Sequence, residues 1–595
     1  MESLHHNGVL IPARYEAKGL TIKVNGKDVT LTVEQEEMAV AWAKKVGTPY
    51  VEDKVFAKNF HKDFSEKLGI KVKSGDVDFQ KIVALVEEER EYKKNLPREE
   101  KKRLAAERKV VREANKEKFG YAYVDGEKME LANYVAEPSS IFMGRGQHPM
   151  RGSWKEGPKK EDIILNLSDD APRPEGNWKE IVWEPEAIWI ARWQDKLSGK
   201  MKYVWFSDSC SFKQQKEIEK FDKAAEFRQK LPKVKRHILK NLESDDLKRR
   251  KTATVCFLID KLKIRVGDEK DPDEADTVGA STLRKEHIQI NGDRTVSFNF
   301  LGKDSVPHIF TTKLPEVVIK NLEGFSSKTE SALFEGVGSS QVSEFLDEVM
   351  TGLSAKVFRT LYASDAVKTK LDKTPVKAEA PEYVKKYVAT MANLEAAKVC
   401  NHKRTISKTW NSSLQKKKDR LVVLKSRANV AQAKIKQRIK VGSKKHEERM
   451  VKYGALLKAA EEKLEAVNLQ LDAKKKEGKD VTALSKRVNR QRDVVIRQRQ
   501  RIKDMKAKQA ERTEKLKQSL EKRKLRDIAA LEKMDFKITV QKETKDYNVS
   551  TSLKSYIDPR IYYEWGKQVQ YDWKQYYAKS LHKKFSWLDC QDDKK

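Results

Sequence analysis

In the stretch LTIKVNGKDVTLT, residues 20–32, apolar and polar side chains alternate on both sides of Asn25-Gly26. A period of two around an Asn-Gly centre predicts a β-hairpin. Residues 79–119 change to a helical rhythm dense in Lys, Arg and Glu, broken by Pro97, which predicts two charged helices in succession. The alternation of aromatic and polar residues in IVWEPEAIWIARWQDKLSGKMKYVWF predicts a second hairpin about Ser198-Gly199. Beyond about residue 218 the pattern is mostly helical. It is interrupted by one strand pair, TVSFNFLGKDSVPHIFTT, whose turn falls at Gly302-Lys303-Asp304 and sets Lys303 at or beside the tip.

From about 406 to 541 the aromatic residues all but vanish. Val481, Val488, Val495, Ile502 and Leu516 occupy one seven-residue register, interrupted by Gln509. This is the seam of a coiled coil. The break at KKKEGKDVTALSK divides it into two helices of about 55 residues, each roughly 80 Å long, folded back as an antiparallel arm. The last 54 residues regain tyrosine and tryptophan and read as a small helical domain that docks on something. The pattern as a whole is an α+β multidomain chain, divided at 1–217, 218–405, 406–541 and 542–595.

Charge sharpens this picture. The chain has 595 residues, 36% of them charged, and a formal net charge of +34. Residues 411–540 alone hold 39 Lys and Arg against 17 Asp and Glu. A surplus of this size selects a polyanion, with nucleic acid ahead of acidic membranes, because each neutralised phosphate releases counterions. No apolar run is long enough to span a bilayer, and the opening MESLHHNGVLIPARY lacks the pattern of a signal peptide. Cys210, Cys256, Cys400 and Cys590 are far apart and form no Cys-x-x-Cys, so reduced thiols inside the cell are expected and no structural zinc. The glycine clusters GRGQHP and GVGSS lack the Lys-Ser/Thr pair of a P-loop and the setting of a dinucleotide fingerprint, so no ATP is implied.

The candidate chemistry starts at TSLKSYIDPR, where Tyr556 stands between a lysine and an arginine. Taken alone it reads as a surface aromatic. A phenol can also attack a phosphodiester and hold the phosphoryl group as an ester. It then needs arginines on the non-bridging oxygens, and a lysine or histidine to protonate the leaving 5′ oxygen. Four blocks supply such groups: FLIDKLKIRVGDEK with Arg265, FNFLGKDS with Lys303, LSAKVFRTLYAS with Arg359, and VCNHKRTISKT with His402.

These blocks, with LHHNGVLIPARY, FMGRGQHP, EDIILNLSDDAP, DEADTVGASTLRKEHI and the terminal YIDPR, stand in the order found in eukaryotic type IB DNA topoisomerases, which the chain resembles over essentially its whole length. The resemblance implies a bilobed DNA clamp. It would comprise a mixed α/β cap lobe, a mainly helical catalytic core like that of tyrosine recombinases, a coiled-coil linker and a C-terminal domain bearing the nucleophile. It implies Tyr556 as nucleophile of a 3′-phosphotyrosyl bond, and Arg265, Arg359 and His402 as ligands of the non-bridging oxygens. Lys303 would be the general acid, reaching also a minor-groove base edge. Arg145 and Asp304 would flank the cleavage site, and Lys213, Lys270, Thr277 and Lys356 would lie on or beside the DNA backbone. It further implies relaxation of supercoiled double-stranded DNA by a nuclear monomer without ATP or a required metal, a divalent cation acting at most as a stimulant.

The departures carry expectations of their own. Ser555 replaces the asparagine that usually precedes the nucleophile, and the nearby lysine has moved one place to Lys554. A water-bridged contact to Asp304 should be lost or altered, and sensitivity to camptothecin-type poisons reduced. Asp268 replaces an asparagine in RVGDEK and is expected to bring negative charge to the DNA path. Met143 replaces an arginine. The family's acidic and basic N-terminal extension is absent, and basic runs such as KKK at 474–476 or RQRQRIK would have to serve nuclear import. A tyrosine recombinase uses a similar residue set, and a catalytically silent DNA-binding clamp would also fit the altered residues around Tyr556. A bare coiled-coil scaffold leaves the four core blocks without a reason.

Overall fold

A computed structural model describes residues 1–268, 276–327 and 332–594. It is a mixed α/β structure, with 17 α-helices among the described residues and several small open sheets. It separates into two compact units: residues 1–380, 391–405 and 547–595 form one, and 381–390 with 406–546 the other.

Both predicted N-terminal hairpins form. Strands Thr21–Val24 and Lys27–Thr30 pair antiparallel, and Asn25 and Gly26 take φ of 48° and 81°, the two left-handed residues that a tight type I′ turn requires. Trp189–Gln194 and Met201–Trp205 form the second hairpin, which joins Ile163–Asn166 and Glu180–Val182 in a four-stranded sheet. Each sheet covers its own apolar core. One core is built on Phe56, Phe60, Phe64 and Trp42, the other on Leu4, Leu165, Ile190 and Phe206. The charged helices Gln80–Asn95 and Arg98–Phe119 are separated at Leu96-Pro97. The second buries no residue and runs ion pairs such as Arg103–Glu100 and Arg103–Glu107 along its surface.

The third core gathers the helices Ser211–Asn241, Leu247–Leu262 and Ala355–Asp372 around the sheet of Ile288–Ile290, Thr295–Gly302 and Val306–Lys313. Asp246 caps the second helix through Lys248 N. Lys303–Ser305 form a short 3₁₀ turn between the long strands, with Ser305 at φ 56°. The C-terminal helices bury Tyr562 and Tyr577 against Tyr576. They dock on the rest of the unit through Lys583 on Glu130 and Arg560 on Asp222.

In the second unit, Trp410–Lys476 and Thr482–Glu543 are helices of 67 and 62 residues, roughly 100 and 93 Å long. They are longer than expected because the first runs on through Lys474–Lys476 and the second already starts at Thr482, so most of the predicted break is itself helical. They run antiparallel: Lys417 meets Gln541, Gln432 meets Asp527, and Arg499 meets Glu461. Val488 and Val495 of the predicted seam are buried, the first against Val467 and Leu471. At the base, Tyr387 stacks on Phe536 at 4.2 Å.

Candidate active site

Tyr556 stands where one helix stops and the next begins. Asn548 caps the helix Val549–Ser555, which ends at Tyr556, and Asp558 caps Pro559–Gln568 with proline in its first turn. The amides of Tyr556 and Ile557 both donate to the Ser552 carbonyl, at 2.9 and 3.0 Å. Ser364 holds the break from outside: its hydroxyl donates to the Tyr556 carbonyl and accepts from Asp558 N. Ser364 lies on the helix Ala355–Asp372, which also carries Arg359. The surface aromatic suggested by the local sequence is in fact 6% exposed, because that helix and the turn at residue 402 cover it.

The Arg359 guanidinium lies 4.8 Å from the Tyr556 ring centre, and the His402 ring 5.1 Å from it. Nη2 of Arg359 donates both to the Cys400 carbonyl and to Nε2 of His402, each at 2.8 Å. A guanidinium can only donate, so Nε2 accepts and the proton of His402 is on Nδ1, 2.7 Å from the Ser552 hydroxyl. Burial, reinforced by Arg359 and Arg265, pulls the His402 pKa down to about 3 and keeps the ring neutral. The Nε–H of Arg359 is buried without a protein partner. An unpaired guanidinium N–H in a buried setting is costly unless an anion comes to it.

Arg265 and Lys303 line the same pocket as Arg359 and His402, together with His308, Asn401, Lys403 and Thr551. Arg265 follows the helix Leu247–Leu262, which ends at Lys263 in the left-handed region. The turn carrying His402 is fastened to the segment that leads to Tyr556, as Asn548 N donates to the His402 carbonyl at 2.7 Å. Arg265, Lys303, Arg359 and His402, from four separate stretches of chain, therefore meet around one cationic pocket, with Tyr556 from a fifth stretch beside it.

Three sequence profiles cover most of the chain: a eukaryotic DNA topoisomerase I DNA-binding fragment matches residues 1–206, the catalytic core of that family matches 209–437, and a C-terminal topoisomerase domain matches 529–594. The chain belongs to the eukaryotic DNA topoisomerase I family. Among similar proteins, DNA topoisomerase 1 beta of Arabidopsis thaliana is 37% identical over 70% of this chain and 46% of its own length. DNA topoisomerase 1 of Candida albicans is 35% identical over 71% of this chain and 55% of its own. The Homo sapiens DNA topoisomerase 1 is 28% identical over 99% of this chain and 71% of its own. The chain thus spans about half the length of the plant and yeast topoisomerases it matches.

Around the pocket, the remaining candidates fall into different settings. Gly144 and Gly146, on either side of Arg145, both have φ of 58°. A Cβ on Gly146 would sit 2.1 Å from the Ser305 hydroxyl, so the Arg145 loop packs directly on the Lys303–Ser305 turn. Asp304 is described there by its backbone only, and Lys270 lies outside the described residues. Thr277 precedes Val278, whose amide donates to the Leu301 carbonyl. Lys356 is exposed in the first turn of the Arg359 helix. Lys213 is turned inward, its ammonium 2.5 Å from the Phe206 carbonyl and its pKa lowered by burial.

The structure gives physical reasons for two departures. Asp268 accepts from Ser339 N at 2.7 Å, at the start of the helix Ser339–Asp347, where a carboxylate is favoured by the helix dipole. Met143 packs against the Phe56–Phe60 core, where a guanidinium would be out of place. Sequence reasoning missed Ser552, His308, Asn401 and Lys220. The Lys220 ammonium donates to the Ser555 carbonyl, just before Tyr556, and to Glu217; burial lowers its pKa to about 8. Among the described residues no group of three or more His, Cys, Asp or Glu is placed to hold a metal ion, and no helix is long and apolar enough to cross a membrane.

Proposed function

We propose that the chain relaxes supercoiled double-stranded DNA by cutting one strand at a time through Tyr556. The observation that carries this reading is the phenol buried between the Arg359 guanidinium and the His402 ring, beside a pocket that Arg265 and Lys303 also line. The Tyr556 hydroxyl loses its proton to water as its oxygen bonds to phosphorus, the P–O5′ bond breaks, and Lys303 delivers a proton to the 5′ oxygen. Arg265 and Arg359 take the non-bridging oxygens, where charge builds in the transition state. When Arg359 turns from His402 to phosphate, Nε2 is released. The Ser552 hydroxyl can accept from Nδ1 or donate to it, so it supports either tautomer, including the one that places N–H toward phosphate. The reverse attack by the 5′-hydroxyl reseals the strand. The bond energy is kept in the phosphotyrosine, so no ATP is consumed, and the cationic side chains neutralise charge without a required metal.

The finer architecture follows the same reading. Residues 1–217 serve as cap lobe and 218–405 as catalytic core, 406–541 as basic linker over the DNA downstream of the nick, and 542–595 as the C-terminal domain carrying Tyr556. Arg145, Lys213, Lys270, Thr277, Asp304, Lys356 and Ser555 are assigned to the DNA-facing surface. The likeness to eukaryotic topoisomerases supports a nuclear monomer acting on chromosomal DNA.

The test compares the parent with Tyr556→Phe on negatively and positively supercoiled plasmid, without ATP and with chelator. Relaxation of both signs that is abolished by the substitution is expected. Binding without relaxation by either protein would instead favour a silent clamp.

A further inference from the structure

His308 stands on the strand Val306–Lys313 directly opposite Phe300, and its ring stacks on the Phe300 ring at 4.9 Å with 4° between the planes. Its edge fills the space where a Cβ on Gly302 would be, 2.5 Å from Nε2. Gly302 has φ of −88°, open to any residue, so the glycine before Lys303 provides room for the imidazole and not backbone freedom. On the other side of the ring, Nδ1 lies 2.6 Å from the side-chain Nδ2 of Asn401. Asn401, in the left-handed region at φ 53°, sits between Cys400, whose carbonyl receives Arg359, and His402.

One imidazole thus touches both the hairpin that ends in Lys303 and the turn that carries His402, and it lines the pocket they share. An amide NH₂ only donates, so Nδ1 accepts and the proton stays on Nε2. Burial, with Lys403, Arg359 and Arg265 around it, lowers the His308 pKa to about 4. The ring therefore serves as a neutral acceptor at neutral pH.

We propose that His308 is a positioning residue for strand cleavage: by accepting from Asn401 it ties the Lys303 hairpin to the His402 turn, and so fixes the general acid relative to the scissile phosphate. The proposal rests on the assignment of Tyr556 and Lys303 above. A displaced acid slows delivery of the proton to the departing 5′ oxygen and leaves DNA binding and the attacking phenol in place.

The test is single-turnover cleavage of a duplex carrying either the natural 5′ oxygen or a bridging 5′ sulfur at the scissile phosphate, since a thiolate departs without a proton. His308→Phe keeps the stack on Phe300 and loses the acceptor. It is expected to slow the oxygen substrate at least about tenfold, part of the roughly 100- to 10,000-fold a positioned acid contributes, and the sulfur substrate less than about threefold. His308→Gln, whose amide oxygen can accept from Asn401, should recover most of the rate. Equal losses on both substrates, or no loss on oxygen, overturn the proposal. Should His308→Phe not fold, Asn401→Ala removes the donor from the opposite side and must show the same contrast. A parent that cleaves neither duplex, or cleavage that survives Tyr556→Phe, overturns the reaction itself and the role of His308 with it.

Discussion

The hydroxyl of Ser552 lies 2.7 Å from Nδ1 of His402, and both side chains are buried. The serine is four residues before Tyr556, so the helix that leads into Tyr556 also holds in place the histidine that faces it.

Replacing Ser552 by alanine leaves a buried imidazole nitrogen without its partner. The net worth of such a hydrogen bond is about 1 kcal/mol, and cleavage should slow about fivefold to tenfold. Ser552→Thr, which keeps the hydroxyl, should lose less. Single-turnover cleavage of a short duplex measures both, and equal rates for parent and alanine variant would remove Ser552 from the mechanism.

Acid should loosen the fold before the carboxylates titrate. His6, His308 and His402 are held neutral by burial, with pKa near 4, 4 and 3. An unfolded chain binds their protons near pH 6.5, so it holds more protons than the folded one below that pH. Their contribution is complete above about pH 6.5 and is lost progressively as pH falls toward 4 and then 3. Melting temperature recorded from pH 7.5 to 4.5 should decline across this window, and a level profile would contradict it.

Lys220 holds the carbonyl of Ser555 from the helix Ser211–Asn241. Lys220→Met fills similar volume and removes the donor. Cleavage should slow by about tenfold or more, as expected for loss of one charge-assisted hydrogen bond, while duplex affinity stays unchanged because the ammonium is engaged with the Phe221 ring, Glu217 and the Ser555 carbonyl. A fall in affinity with an unchanged cleavage rate would assign Lys220 to DNA binding instead.

Ser555 is shorter than asparagine and cannot present an amide. Ser555→Asn should therefore raise the fraction of plasmid trapped as nicked complex by camptothecin-type poisons, with relaxation itself little changed. Identical trapping by the two proteins would refute the importance of this position.

Lys474, Lys475 and Lys476 occupy the last turn of the first arm helix. If the arm brakes rotation of the DNA electrostatically, neutralising all three to glutamine should speed relaxation, with the largest effect at low salt. Relaxation time courses at two ionic strengths provide the measurement, and an unchanged rate at both would leave the arm without a braking role.

The elements easiest to foresee were those whose information is local. Asn25-Gly26 specifies its own turn, and Val488 and Val495 announce a buried seam by spacing alone. Residues that work through distant partners were not legible. Ser552 meets a histidine 150 positions earlier, and Asn401 meets His308 across 93 positions. Asp268 was expected to bring negative charge to the DNA path; its carboxylate accepts from Ser339 N, 71 residues away, a contact that no local pattern announces. The burial of Tyr556 was hidden for the same reason, since its cover comes from the Arg359 helix and the 402 turn.

The crowding of Gly302 by His308 also constrains the routes open to sequence change. An alanine at 302 would push its methyl into the imidazole and shift the residue ahead of Lys303, so that substitution alone is harmful. After His308 has been replaced by a smaller side chain, the same alanine has space. The cost of alanine at 302 therefore depends on the residue at 308, so the two positions are epistatic: a lineage or a directed-evolution library tolerates alanine at 302 better once 308 has been made smaller.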